Sequence, residues 1–87
     1  MLKISLTEAS DKAVTIRLEG RVRGPWVEEL RRSCEPLLAK GRRLFLDLTE
    51  VSFVDTAGVA LCRCLRDRNV TILCCSPFVA EQLKGEG

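Results

Sequence analysis

The residues best placed to do chemistry in this chain are Asp55, Thr56, Ala57 and Gly58, in the run Phe53-Val54-Asp55-Thr56-Ala57-Gly58-Val59-Ala60-Leu61. An acid, a hydroxyl, a small residue and a glycine follow one another there, between a strand-like and a helix-like apolar run. That layout puts Thr56 at the start of a helix, where a side-chain oxygen satisfies free backbone N–H groups. Taken only as an N-cap, Thr56 would contribute about 1 kcal/mol of helix stability. The same place favours a phosphate, because the free N–H groups and the positive end of the helix dipole both face it.

Other reactive groups are sparse. Asp47 and Asp55 could be paired as an acid and a base, but no histidine, activated nucleophile or glycine-rich phosphate loop accompanies them, so catalysis is not expected. The absence of histidine also removes the commonest metal ligand. Cys62-x-Cys64 with Cys74-Cys75 has the look of a metal set. Residues two apart on a helix, however, lie about 200° apart around its axis, and neighbours on a strand point to opposite faces. The cysteines are therefore expected to pack as small hydrophobes, with Cys64 or one of Cys74 and Cys75 open to oxidation, and no metal or cofactor is expected.

The elements that must position these residues are readable from periodicity. Leu2, Ile4 and Leu6 alternate with Lys3 and Ser5, and Val14, Ile16 and Leu18 alternate with Thr15, Arg17 and Glu19. Two strands joined at Ser10-Asp11-Lys12 as a hairpin are predicted. Gly20 and Gly24 bracket a short connection to a helix that starts at Pro25. Trp26, Leu30, Cys34, Leu37 and Leu38 fall on its inner side, and Gly41 ends it. Pro36 predicts a kink near Arg32 or an early break, since a proline inside a helix costs about 3 kcal/mol. Trp26 reads as a helix-to-sheet anchor or, if exposed, an interface residue.

Leu44-Phe45-Leu46-Asp47-Leu48 is dense enough in apolar residues to read as a central strand covered on both faces. A second helix over Thr56 to Arg68, a strand over Val70 to Cys75 and a short helix opened by Ser76-Pro77 and running through Leu83 complete the order. Strand-helix-strand units require parallel neighbours. The fold class is therefore α/β: one small domain over 1–87, with a mixed four-stranded sheet, an N-terminal hairpin and helices packed on it.

Composition narrows the function classes. The 87 residues are 46% hydrophobic and 30% charged, with a net charge of +2, which fits one globular domain and not a disordered tail. The charge is too small, and the aromatic side chains too few (three Phe, one Trp, no Tyr), for a nucleic-acid partner to be expected. No signal-peptide core and no bilayer-length apolar run is present, so no direct membrane insertion is expected. An odd number of cysteines, mostly inside apolar segments, favours a reducing cytoplasm. Most of the arginines read as a solvated face, Arg21 and Arg23 being the pair expected near a partner.

Leu18-Glu19-Gly20-Arg21, the amphipathic first helix, Leu46-Asp47-Leu48 and Val54-Asp55-Thr56-Ala57-Gly58 together resemble the STAS domain family of bacterial anti-sigma-factor antagonists and sulfate transporters. The resemblance runs along nearly the whole chain, in the same element order. It implies a non-catalytic protein-interaction module that regulates transcription. In the antagonists the hydroxyl residue after the aspartate is phosphorylated by a partner that is both Ser/Thr kinase and anti-sigma factor, and phosphorylation ends binding. The matching position here is Thr56, the candidate phosphoacceptor, with Asp55, Ala57, Gly58, Arg21 and Arg23 as candidate partner-binding residues. Three departures stand out: Thr56 where the antagonists usually carry Ser, Ala57 in place of a second hydroxyl, and a short last helix. The Asp-Thr-Ala-Gly spelling followed by Val59-Ala60-Leu61 is also similar to the STAS subunit of phospholipid-trafficking ABC transporters. There the threonine contacts the ATPase without phosphorylation. A structural or scaffold role for the module is the third possibility.

Overall fold

The computed structural model describes residues 2–84; the first and the last three residues of the expected 1–87 domain lie outside the described residues. Strands β1 (Leu2–Ala9) and β2 (Ala13–Val22) lead to helix α1 (Pro25–Ala39), followed by β3 (Arg43–Val54), α2 (Thr56–Asp67), β4 (Thr71–Cys75) and α3 (Pro77–Lys84). The sheet order is β1-β2-β3-β4, antiparallel between β1 and β2 and parallel elsewhere. This is the mixed sheet with an N-terminal hairpin that the alternation predicts.

Val14, Ile16 and Leu18 of β2 and Leu44, Leu46 and Leu48 of β3 are buried, whereas Thr15, Arg17, Glu19, Phe45 and Asp47 between them are only half-buried. The buried set forms one cluster with Val27, Leu30 and Cys34 of α1, Leu61, Cys62 and Leu65 of α2, and Val79 and Leu83 of α3. The helices thus cover one face of the sheet. The two-sided covering expected for Leu44–Leu48 is not what forms, because Phe45, the residue that makes the run look continuous, sits on the open face. Between β2 and β3 the pairing slips twice, each time with one extra residue on β3. The slips return Val51 and then Val54 to the buried side and carry the strand on to Asp55.

Four further expectations are corrected. Strand β2 does not end at Gly20: it runs to Val22, with Gly20 at φ 111° beside a register slip, where a residue without Cβ bears the backbone twist. Helix α1 runs unbroken through Pro36. The proline lies in its last turn, so one hydrogen bond is forgone and no following segment has to be redirected. Leu6 is 63% exposed instead of inward-facing, at a bulge between Leu6 and Glu8 on the sheet edge. Val27, which the helical pattern passed over, is the buried anchor at the start of α1, and Trp26 is half-buried against the core.

Both long helices stop the same way. Gly41 (φ 76°) donates to the Leu38 carbonyl at 3.0 Å and Arg42 to Leu37 at 3.3 Å; Asn69 (φ 69°) donates to Arg66 and Val70 to Leu65, each at 3.0 Å. Paired bonds of this kind satisfy the last carbonyls and turn the chain back into the next strand.

Candidate functional site

The end of β3 delivers Asp55 between two helix starts. Its backbone N–H donates to the Val22 carbonyl at 3.0 Å, fixing it against the end of β2. One carboxylate oxygen, Oδ1, accepts from the Gly58 N–H at 2.8 Å; the other, Oδ2, accepts from the Gly24 N–H at 3.0 Å. Asp55 is therefore the N-cap of α2 and at the same time ties down Gly24, the residue at the N-cap position of α1, which offers no side-chain cap of its own. The expectation that Thr56 caps the helix is corrected: Thr56 is the first helical residue, one position inside the cap. Its side chain is exposed, and its hydroxyl has no hydrogen-bond partner among the described residues.

Gly58 is buried beneath this turn. A Cβ there would lie 2.6 Å from Val54 Cγ1 and 2.9 Å from the Val22 carbonyl oxygen. Only glycine lets α2 start so close to the ends of β2 and β3. The residue shapes the turn from below, and the surface is left to Thr56 and Ala57, both exposed. Arg21 and Arg23 are exposed as well, flanking the buried Val22. Arg23 precedes Gly24 directly, so the hydrogen bond from Gly24 to Asp55 brings the arginine-bearing segment against the turn. From Ala57 a groove of about 370 Å³ runs between α2 and α1, lined by Ala60, Cys64, Val27, Arg31 and Glu35 among others.

One positioning residue carried no signal in the sequence. Gln82 of α3 donates from Nε2 to the Val54 carbonyl at 2.6 Å and accepts from the Val54 N–H at 3.1 Å. This amide pair locks the last residue of β3, immediately before Asp55. A single glutamine on a short helix has no periodicity to reveal it. Ser76 does cap α3 as expected, accepting from the Val79 N–H at 3.2 Å.

Asp47 takes no part in the site. Its Oδ1 accepts from the Thr49 hydroxyl at 2.6 Å and from the Thr49 N–H at 3.0 Å, and these bonds, the hydroxyl first, hold its carboxyl below the usual carboxylate range. Seven residues of β3, an extended reach of at most about 26 Å, separate it from Asp55. The cysteines divide: Cys34 and Cys62 are buried, Cys75 is half-buried, and Cys64 and Cys74 are exposed, so the exposure expected of Cys64 or of one of Cys74 and Cys75 is found at both places, and of the four in the metal-like set only Cys62 packs fully as a core residue. Burial pushes the Cys34 thiol up to about 12 and the Cys62 thiol up to about 11. Among the described residues no group of three or more acidic, cysteine or histidine side chains could hold a metal ion. No helix among them is long and apolar enough to cross a membrane.

The family described as "Mlab, STAS domain" matches residues 5–83. The chain belongs to the STAS family. Its fold is similar to that of the anti-sigma factor antagonist SpoIIAA in its unphosphorylated form, with a TM-score of 0.75 at 20% identity, covering 94% of this chain and 82% of that one. The Bacillus cell fate determinant SpoIIAA in the phosphorylated form gives a TM-score of 0.73 at 25% identity, with 95% and 84% covered. An uncharacterized DUF3478-family protein from Shewanella loihica PV-4, with a SpoIIAA-like fold, gives 0.59 at 16% identity, with 93% and 77% covered. No curated protein matches the chain at a significant level. Membership in the STAS family and the SpoIIAA-like fold bear out the resemblance drawn from Asp55-Thr56-Ala57-Gly58 and its flanking strands.

Proposed function

We propose that this STAS domain is a non-catalytic, cytoplasmic anti-sigma-factor antagonist. In this reading it docks a partner anti-sigma factor with Ser/Thr kinase activity through the Asp55–Gly58 turn, and phosphorylation of Thr56 releases it. The observation that carries the proposal is the division of labour between Asp55 and Thr56. Asp55 does the structural work of the turn, and Thr56 presents an exposed hydroxyl with no hydrogen-bond partner among the described residues at the positive end of α2. A residue so placed can be modified without disturbing the fold. A phosphate adds about −1.5 to −2 charge. In the free domain the helix N-terminus stabilises that charge. Buried against a partner, beside the Asp55 carboxylate, it is repelled and costly to desolvate. The similarity to SpoIIAA in both its forms, at TM-scores of 0.75 and 0.73, supports a switch that acts at the surface and leaves the fold alone.

A second reading has its own support in the Asp-Thr-Ala-Gly spelling and in the Mlab description of the matching family. In it the domain is a constant subunit of a phospholipid-trafficking ABC transporter, docked on the ATPase through Thr56 and never phosphorylated. One experiment separates the two. Mass spectrometry of the protein from its native host looks for phosphate on Thr56, and binding assays compare Thr56→Asp and Thr56→Ala with the parent against the kinase-like or transporter ATPase encoded nearby. The switch predicts a phosphorylated form, at least about tenfold weaker binding for Thr56→Asp, and near-parental binding for Thr56→Ala. A Thr56→Asp protein that binds its partner as tightly as the parent refutes it. Loss of binding in both variants, with no phosphorylated form, supports the transporter subunit.

A further inference from the structure

At the pole opposite the Thr56 turn, where β3 begins, the structure holds a second concentration of charge. A hollow of about 770 Å³ is lined by Lys12 from the β1–β2 turn, Arg42 just before β3 and Arg43 at its start, Arg66 in the last turn of α2 and Arg68 just after it. No carboxylate is among its described lining residues. Arg68 is engaged by Glu35 at 2.8 Å, but none of Lys12, Arg42, Arg43 and Arg66 has an acidic partner among the described residues. The backbone holds the cluster together: the Arg43 N–H donates to the Lys12 carbonyl at 2.8 Å, and the paired capping bonds set the Gly41–Arg42 and Asn69–Val70 turns on either side.

Complementing the helix dipoles does not account for this set. Each helix C-terminus is equivalent to about half a negative charge, so α1 and α2 together offset about one of the four unpaired cations, and their last carbonyls are already bonded to backbone N–H groups. Asp11 and Asp67 lie next to the cluster in sequence but outside its lining. Four of the five cations are arginines, whose planar forks match phosphate oxygens two at a time. The concave shape suits a compact ligand carrying several charges better than a flat surface.

We propose that this hollow is a binding site for a ligand bearing two or more phosphate groups, whether a soluble polyphosphate or a lipid headgroup carrying several phosphates, separate from the partner-docking turn. Calorimetry with tripolyphosphate on the whole protein tests it, together with amide chemical shifts and sedimentation with phosphatidylcholine vesicles doped with phosphatidylinositol 4,5-bisphosphate. The expected result is one tripolyphosphate per chain, weakened at least about tenfold as ionic strength rises from about 0.01 M to about 0.15 M, with shifts confined to Lys12, Leu38, Gly41–Arg43 and Arg66–Thr71. Arg43→Glu with Arg66→Glu should weaken binding at least about tenfold, whereas Lys3→Glu with Arg32→Glu, equal in charge change but remote from the hollow, should not. Tripolyphosphate binding alone marks a soluble ligand; added sedimentation with the doped vesicles marks a lipid headgroup. The absence of tripolyphosphate binding, shifts scattered over the surface, or equal loss in both double variants overturns the proposal. The shift map is read on the parent protein, so it decides the matter even if the reversed variants unfold.

Discussion

Replacing Asp55 with alanine should be the most damaging single change at the turn, and the size of the loss can be worked from its two bonds. The bond from the Gly58 N–H is a helix N-cap, worth about 0.5–2 kcal/mol. The bond from the Gly24 N–H spans 31 residues of sequence and joins the start of α1 to that of α2. Bonds to a charged acceptor contribute about 1.5–3 kcal/mol, and the half-buried position of Asp55 argues for the lower end. Together they predict a loss of about 2–4 kcal/mol. At about 4–8 °C per kcal/mol for a domain of this size, the melting temperature should fall by roughly 8–32 °C. Thr56→Ala, by contrast, removes a hydroxyl with no partner among the described residues and should stay within about 0.5 kcal/mol. Asp55→Asn keeps a capping oxygen and should lie between them. Thermal and urea unfolding of the three variants measures all of this. Equal destabilisation by Asp55→Ala and Thr56→Ala would show that the cap is shared and that Thr56 is not free of structural duty.

Gly58→Ala should destabilise by about 1–3 kcal/mol through overpacking against Val54 and Val22, outweighing the roughly 1 kcal/mol that alanine normally adds to a helix; urea midpoints test the sign. Gln82→Leu strips both partners from the Val54 backbone and should cost about 1–3 kcal/mol per group left unpaired, with faster amide exchange at Val54 as the local readout. Cys64 and Cys74 should react with a thiol reagent in the native protein, whereas Cys34 and Cys62 should react only on unfolding. Their raised native pKa values of about 12 and about 11 mean that the unfolded chain loses these protons first. Their contribution to stability is therefore complete below the ordinary thiol value of 9.0 and is lost as pH rises from there toward 11 and 12, which alkaline unfolding curves would show.

Strands β1 and β2 were legible because Val14, Ile16 and Leu18 alternate with residues that the folded chain leaves half-open to water. Leu44-Phe45-Leu46-Asp47-Leu48 misled because a half-buried Phe45 on the open face reads the same as a buried one. Pro36 misled because its cost depends on how far the helix continues, and here Ala39 is the last helical residue. Four consecutive residues mark the site, but they do not show that Asp55 and not Thr56 is the cap. Aspartate and threonine are both good N-caps, and no local rule chooses between neighbours. What decides is the N–H of Gly24, 31 positions earlier. Gln82 leaves no local signal for the same reason, since its partner is 28 residues away. The elements were local and readable, whereas the bonds that aim the site are long-range.

Those long-range bonds also bear on the chemistry proposed for Thr56. Asp55 consumes the Gly58 and Gly24 N–H groups, and its backbone carbonyl takes the Val59 N–H at 2.8 Å. At the start of α2 this leaves the Thr56 and Ala57 N–H groups without a partner among the described residues, so a phosphate on Thr56 would find two donors beside it and would not have to displace the aspartate. Ala57 suits this arrangement: it adds no side-chain oxygen to compete for its own N–H, as a hydroxyl residue could. A departure from the antagonists' usual spelling is therefore compatible with the proposed switch, in which backbone donors would meet the phosphate. The free domain can then carry the phosphate at little structural cost, while a partner pressed against the same turn must take up a dianion beside Asp55. That difference in cost between the free and bound states is all the switch requires.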